Sequence, residues 1–94
     1  MRVLTSLQAS EDLQDIFDYI SADSAQTAHK VAERVIEAID SLGRLESRGR
    51  KGQVEGTLER VVPLTGCMLI YRVDADEVVI LRVWRSARGH PVLR

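Results

Sequence analysis

The side chains able to do chemistry in this sequence are mostly arginines. Arg60, Arg72 and Arg82 fall in three successive apolar runs, Arg85 and Arg88 follow the last run, and Arg50 and Lys51 precede the first. A guanidinium binds phosphates and carboxylates bidentately and stays charged at any physiological pH. The same permanence makes it a poor proton acceptor, so arginines alone supply no general base. The set therefore fits anion binding, or stabilising charge that develops in a transition state. For Arg60, Arg85 and Arg88, a solvated strand or tail position is an equally good account. Arg72 and Arg82, set between apolar neighbours, are expected to pair structurally with Asp74, Asp76 or Glu77.

Other chemistries find little support. His29 and His90 have no cysteine or histidine at ligand spacing, so no metal site is expected, and both read as surface histidines. The glycines from Gly49 to Gly56 lack the strand-to-helix setting of a phosphate loop. No hydrolase triad is recognisable. Cys67 is the single cysteine, which excludes an internal disulfide and suits a reducing cytosol. Its expected role is that of a small hydrophobe on a strand. Trp84 reads as a core or rim residue rather than a base-stacking platform.

These groups must be positioned by a small body. At 94 residues the chain is expected to form one domain spanning 1–94, and its 45% hydrophobic content is enough for a compact core. The N-terminus has early acidic residues and no apolar h-region, so a signal peptide is not expected. No apolar run approaches a membrane span. A soluble, cytoplasmic protein with no membrane partner follows as the expectation. Net charge is −1, but it is unevenly spread. Residues 1–47 hold four basic and nine acidic side chains, whereas residues 48–94 hold nine basic and five acidic. An electropositive surface built by the C-terminal half suits an anionic partner, either nucleic acid or an acidic protein segment.

Arg2 to Leu4 reads as a first short strand. Thr5 with Gln8 resembles a capping box opening a helix, and Ala9, Leu13, Ile16 and Ile20 follow at the spacing of one helical face. Glu11, Asp12, Asp15 and Asp18 are expected on the opposite face. After a break at Ser21 to Ser24, Asp23 and Gln26 can cap a second helix. One edge of its apolar stripe is Val31, Val35, Ala38 and Leu42, and the other is Ala28, Ala32 and Ile39. Gly43 is a plausible stop. A glycine-rich, basic loop spans Leu45 to Gly56. Three strand-like runs follow, Thr57–Val62, Cys67–Val73 and Val78–Trp84, joined by turns at Pro63-Leu-Thr-Gly66 and Asp74-Ala-Asp-Glu77. The last run, apolar on both faces except at Arg82, suggests an interior strand.

The order of these pieces resembles one family. Ala9-x-x-Asp12-Leu13-x-x-Ile16-x-x-Tyr19-Ile20 resembles the first-helix signature of RelE/ParE toxins. Gly49-Arg50-x-Gly52-x-Val54-x-Gly56-Thr57 is similar to the glycine-rich segment leading into their sheet, and Ile70-Tyr71-Arg72-Val73 to their central strand. Val79-Ile80-Leu81-Arg82-Val83, then Arg88 and Pro91, is similar to their last strand and its basic exit. The likeness runs from about Ala9 to Pro91. No single piece is specific, whereas the ordered set is.

The resemblance implies an α+β fold, with an N-terminal helical hairpin packed on a small, mostly antiparallel sheet. It implies a cognate antitoxin whose disordered C-terminal segment folds as it wraps the toxin into a hetero-oligomer. No cofactor is implied. The glycine-rich segment resembles the ParE-leaning, plasmid-stabilisation members, which implies growth arrest by binding DNA gyrase, with Arg50, Lys51, Arg60, Arg85 and Arg88 contacting the target. The alternative is a ribosome-dependent mRNA endoribonuclease of RelE type, in which Lys51, Arg60, Tyr71, Arg85 and Arg88 would carry catalysis. A third is a degenerate toxin that binds only its antitoxin. Leu58 stands where many relatives carry arginine, with Arg60 two residues on along the same strand face. Arg85 stands where many carry histidine, and it cannot replace a proton-shuttling histidine.

Overall fold

The computed structural model describes residues 1–44 and 49–85. Along the chain run strand β1 (Arg2–Thr5), helix α1 (Leu7–Ser21), helix α2 (Ala25–Ser41), and strands β2 (Arg50–Lys51), β3 (Leu58–Val62), β4 (Cys67–Val73) and β5 (Glu77–Arg85). The strands form one sheet in the order β1-β5-β4-β3-β2. All pairings are antiparallel except β1 with β5. This is the expected α+β arrangement of a helical hairpin on a mostly antiparallel sheet. β5 lies between β1 and β4, in the interior position that its apolar sequence indicated.

The two helices cover one face of the sheet. Ala9, Ile16 and Ile20 of α1 and Ala28, Val31, Val35 and Ala38 of α2 meet Val62, Cys67, Leu69, Tyr71, Val78, Ile80 and Val83 in one buried cluster. Each fully buried branched aliphatic side chain contributes about 1.5–3 kcal/mol by leaving water. Both helix starts lie one residue later than the sequence pattern suggested. The cap of α1 is Ser6, not Thr5, and its hydroxyl accepts the Ala9 N–H at 3.0 Å. Thr5 is held in β1 opposite Ile80, so strand pairing pushes the helix start onward. The cap of α2 is Ser24, not Asp23, accepting the Thr27 N–H at 3.1 Å. α2 then ends just before Gly43.

A larger correction concerns Asp12. Expected on the solvent face of α1, it is only 2% exposed. Its carboxylate accepts Arg82 Nε at 2.7 Å, Arg82 Nη2 at 3.0 Å and the Val83 N–H at 3.1 Å. Arg82 was expected to pair with Asp74, Asp76 or Glu77, but Asp12 takes it. The cause lies in the sheet. β1 pairs with β5 only as far as Ile80, so among the described residues the rest of that β5 edge has no strand beside it. A buried backbone donor without a partner costs about 1–3 kcal/mol. Asp12 supplies the missing acceptor to Val83, and the Ser6 hydroxyl donates to the Leu81 carbonyl at 3.0 Å. A β-bulge adds to this. Ile70 faces Arg82 while Tyr71 faces Ile80, leaving Leu81 as the extra residue on β5. The bulge turns both Ile80 and Val83 into the core. Hydrogen bonding to Asp12 pushes Arg82 above its ordinary pKa despite the opposing effect of burial. Arg72 pairs with Asp74 at 3.2 Å, as expected.

Candidate functional site

Each basic group is placed by strand register, and the register divides them. Cross-strand partners share a face of the sheet. Arg60 stands opposite Leu69, and Arg85 opposite Cys67. Both positions therefore belong to the helix-covered side. The Arg85 guanidinium lies 5.6 Å from the centre of the Tyr19 ring on α1. Arg60 lines a shallow cleft of about 220 Å³ with Arg34, Glu37 and Ser41 of α2 and with Pro63. Lys51, opposite Leu58, is exposed at the sheet's edge. Arg50 stands opposite Glu59 and so belongs to the other face, with Ile70 and Arg82. The Arg82 guanidinium also lies 5.0 Å from the Trp84 ring centre. Arg60 and Arg85 are thus two strands apart, and Arg50 is on the reverse side from both. Arg88 lies outside the described residues, as do Arg48, His90 and Pro91.

Tyr71 occupies a different environment from the arginines. It is 1% exposed, within the core cluster, and its hydroxyl accepts the Gly49 N–H. Cys67 is buried as well, and desolvation pushes its thiol up against the lowering effects of a Thr65 hydrogen bond and nearby Arg85. It behaves as the small strand hydrophobe the sequence suggested. Among the described residues no group of three or more histidine, cysteine or acidic side chains could hold a metal ion, and no helix is long and apolar enough to cross a membrane.

Two features were missed in the sequence. One is Glu59, a carboxylate 6% exposed that lies 3.5 Å from Arg50 and accepts the Gln53 N–H at 3.2 Å. Its burial depends on the loop before β3 folding back over it, and strand alternation carries no sign of that. The other is an apolar cleft of about 510 Å³ along the helical hairpin, lined by Leu13, Phe17, Ala32, Ile36 and Ile39 among others. Ile36 is half exposed there. Its apolar spacing was visible, but which residues the sheet would leave uncovered was not.

The sequence matches the family described as ParE toxin of type II toxin-antitoxin system, parDE, over residues 3–89. It is 31% identical over 90 residues to a Sinorhizobium fredii protein named "Putative toxin Y4kP", covering 96% of this chain and 93% of that one. The fold is similar to a chain in a structure of the chromosomal ParDE toxin–antitoxin system of P. aeruginosa. There the TM-score is 0.82 and the identity 25%, covering 90% of this chain and 95% of the other. A copper-bound mutant toxin from Helicobacter pylori shares the fold more distantly, with a TM-score of 0.55 at 18% identity over 96% of this chain and 99% of that one.

Proposed function

The chain belongs to the ParE toxin family of type II toxin–antitoxin systems, and from that premise we propose that it arrests growth by binding DNA gyrase rather than by cutting RNA. The observation that carries this reading is the enclosure of Tyr71. Of the residues that a ribosome-dependent nuclease would enlist here, Lys51, Arg60, Arg85 and Arg88 are permanent or near-permanent cations at neutral pH. Tyr71 is the one with an uncharged, transferable proton, and its hydroxyl is buried against the Gly49 N–H. A general acid or base must come within about 3 Å of the reacting atom, and a 1% exposed phenol is poorly placed to meet an external RNA.

The antitoxin is the second partner in this reading. An amphipathic segment suits the apolar cleft along α1 and α2, and acidic residues carried by it suit the arginines of the sheet. Its electrostatic share implies affinity that falls as salt is added. A cytoplasmic location accompanies both partners.

The test is direct. Purified toxin added to gyrase and relaxed plasmid should abolish supercoiling, with no hydrolysis of either nucleic acid. Unaffected gyrase at stoichiometric excess of toxin overturns the proposal. In cells, thymidine incorporation should fall before methionine incorporation within minutes of induction. Cleavage of mRNA only when ribosomes are present, abolished by Arg60→Ala or Arg85→Ala, would put the nuclease in its place.

A further inference from the structure

The turn from β3 to β4 holds an exposed leucine in a costly backbone conformation. Among the described residues, Leu64 is the one residue other than glycine with a positive φ, at 65°. It is also 84% exposed, more than any other large hydrophobic side chain among them. Glycine takes a left-handed backbone freely, whereas a residue with a Cβ is strained in it. With most of its surface in water, the leucine side chain offsets little of that strain inside this molecule.

The turn is built to keep this conformation. The ring of Pro63 locks the φ of the preceding residue. On the other side, Thr65 is 7% exposed, and its hydroxyl donates to the Val62 carbonyl at 2.8 Å and accepts the Cys67 N–H at 2.9 Å. That hydroxyl ties the end of β3 to the start of β4. Gly66 takes a second left-handed position, with φ at 71°. Strained residues persist where their surroundings over-determine them, and they gather at binding sites. A lone exposed leucine is ordinary. One held in water on a strained and braced turn is placed to meet something outside the chain.

Its chemistry and its neighbours indicate what it meets. A branched aliphatic side chain has no flat face for a base and no donor for a phosphate, so nucleic acid is a poor fit. It suits an apolar pocket on a protein. Pro63 lines the shallow cleft that holds Arg34, Arg60 and Glu37. Arg85 stands opposite Cys67, the first residue after the turn. The base of the turn is therefore flanked by three arginines and one glutamate, a net positive setting, and a complementary pocket would carry carboxylates on its rim. The apolar cleft suited to the antitoxin lies along the helices, and no residue of the turn lines it. We propose that Leu64 is the apolar anchor by which the toxin docks into an acid-rimmed pocket on its target protein. The proposal deepens the reading above, because it rests on a toxin that acts by binding.

The test compares Leu64→Gly, Leu64→Asn and Leu64→Met with wild type, by inhibition of purified gyrase and by growth arrest on induction. Glycine and asparagine both accept a left-handed backbone, so both variants should fold with no fall in melting temperature. Each should lose about tenfold to a hundredfold in potency, the effect of withdrawing one buried leucine. Leu64→Met, apolar and of similar volume, should keep most of it. Antitoxin affinity should be unchanged in all three. Inhibition by Leu64→Gly should still weaken as salt is added, because the arginines are untouched. Full potency in Leu64→Gly and Leu64→Asn overturns the proposal. So does a loss of antitoxin affinity that matches the loss of potency, or a loss in Leu64→Met as large as in Leu64→Gly. Wild-type toxin that arrests growth but leaves gyrase untouched refutes the gyrase reading alone, and growth arrest by the three variants still decides the role of Leu64.

Discussion

Two carboxylates in this molecule are buried beside arginines, and they do opposite things. Asp12 on α1 grips Arg82 through two nitrogens, at 2.7 and 3.0 Å, and takes the Val83 N–H as well. Glu59 on β3 meets Arg50 through one nitrogen at 3.5 Å and takes the Gln53 N–H. The Arg82 side chain is 20% exposed and that of Arg50 is 65%. Short, bidentate and enclosed, the first pair closes a bare strand edge and fastens α1 to β5. The second is longer and open, so it steadies a charge and leaves it facing solvent. The same two residue types make a lock in one setting and a presentation device in the other, with burial of the arginine deciding which.

The comparison breaks most visibly at Asp12. Asp12→Ala strands a partly buried guanidinium and an unpaired N–H, and should cost about 3–5 kcal/mol. Urea unfolding that shows less than 1 kcal/mol would mean that the pair is not a lock. Replacing both partners, as in Asp12→Leu with Arg82→Met, should recover part of that loss. A deficit of about 1–3 kcal/mol should remain, because the Val83 N–H still lacks its acceptor. The same denaturation experiment separates the contribution of the charge pair from that of the backbone acceptor.

At the open pair the effect on stability should be smaller. Glu59→Gln keeps an acceptor for the Gln53 N–H and removes only a solvent-screened ion pair. Its cost should be about 1 kcal/mol or less by denaturation. A loss as large as that at Asp12 would erase the distinction between the two sites. The smallest change expected involves no charge. Leu64, in the β3–β4 turn, holds φ at 65° and is 84% exposed. Leu64→Gly relieves a left-handed backbone that costs about 1–2 kcal/mol and returns about 0.5–1 kcal/mol as chain entropy. The net gain of about 0.5 kcal/mol should appear as a slightly raised melting temperature. A fall in stability would show that the exposed side chain does more than its contacts suggest.

Much of the fold was legible because periodicity is local. The helical stripes of Ala9, Ile16 and Ile20 and of Val31, Val35 and Ala38 all reach the core. The three strand runs are all strands, each within a residue or two of its expected bounds. Asp12 could have been read as inward-facing, since it lies three residues after Ala9 and four before Ile16, within the same apolar stripe. Its charge argued for solvent, and only the bare edge of β5 made burial favourable. The basic groups were legible as residues but not as an arrangement. Their faces depend on register, and the single extra residue at Leu81 changes which side chains of β5 meet the helices.

From its sequence alone, this protein is a helical hairpin on a mostly antiparallel sheet, with a basic C-terminal half and the ordered motifs of a toxin family. Those properties follow from short-range spacing and from composition, which folding does not alter. Tertiary structure alone decided that Asp12 is a lock, that Tyr71 is enclosed, and that Arg50 and Arg60 face opposite sides of one sheet. The reason is physical. Strand pairing between segments far apart in the chain determines which backbone groups lack partners, and those unsatisfied groups determine where the charged side chains must go.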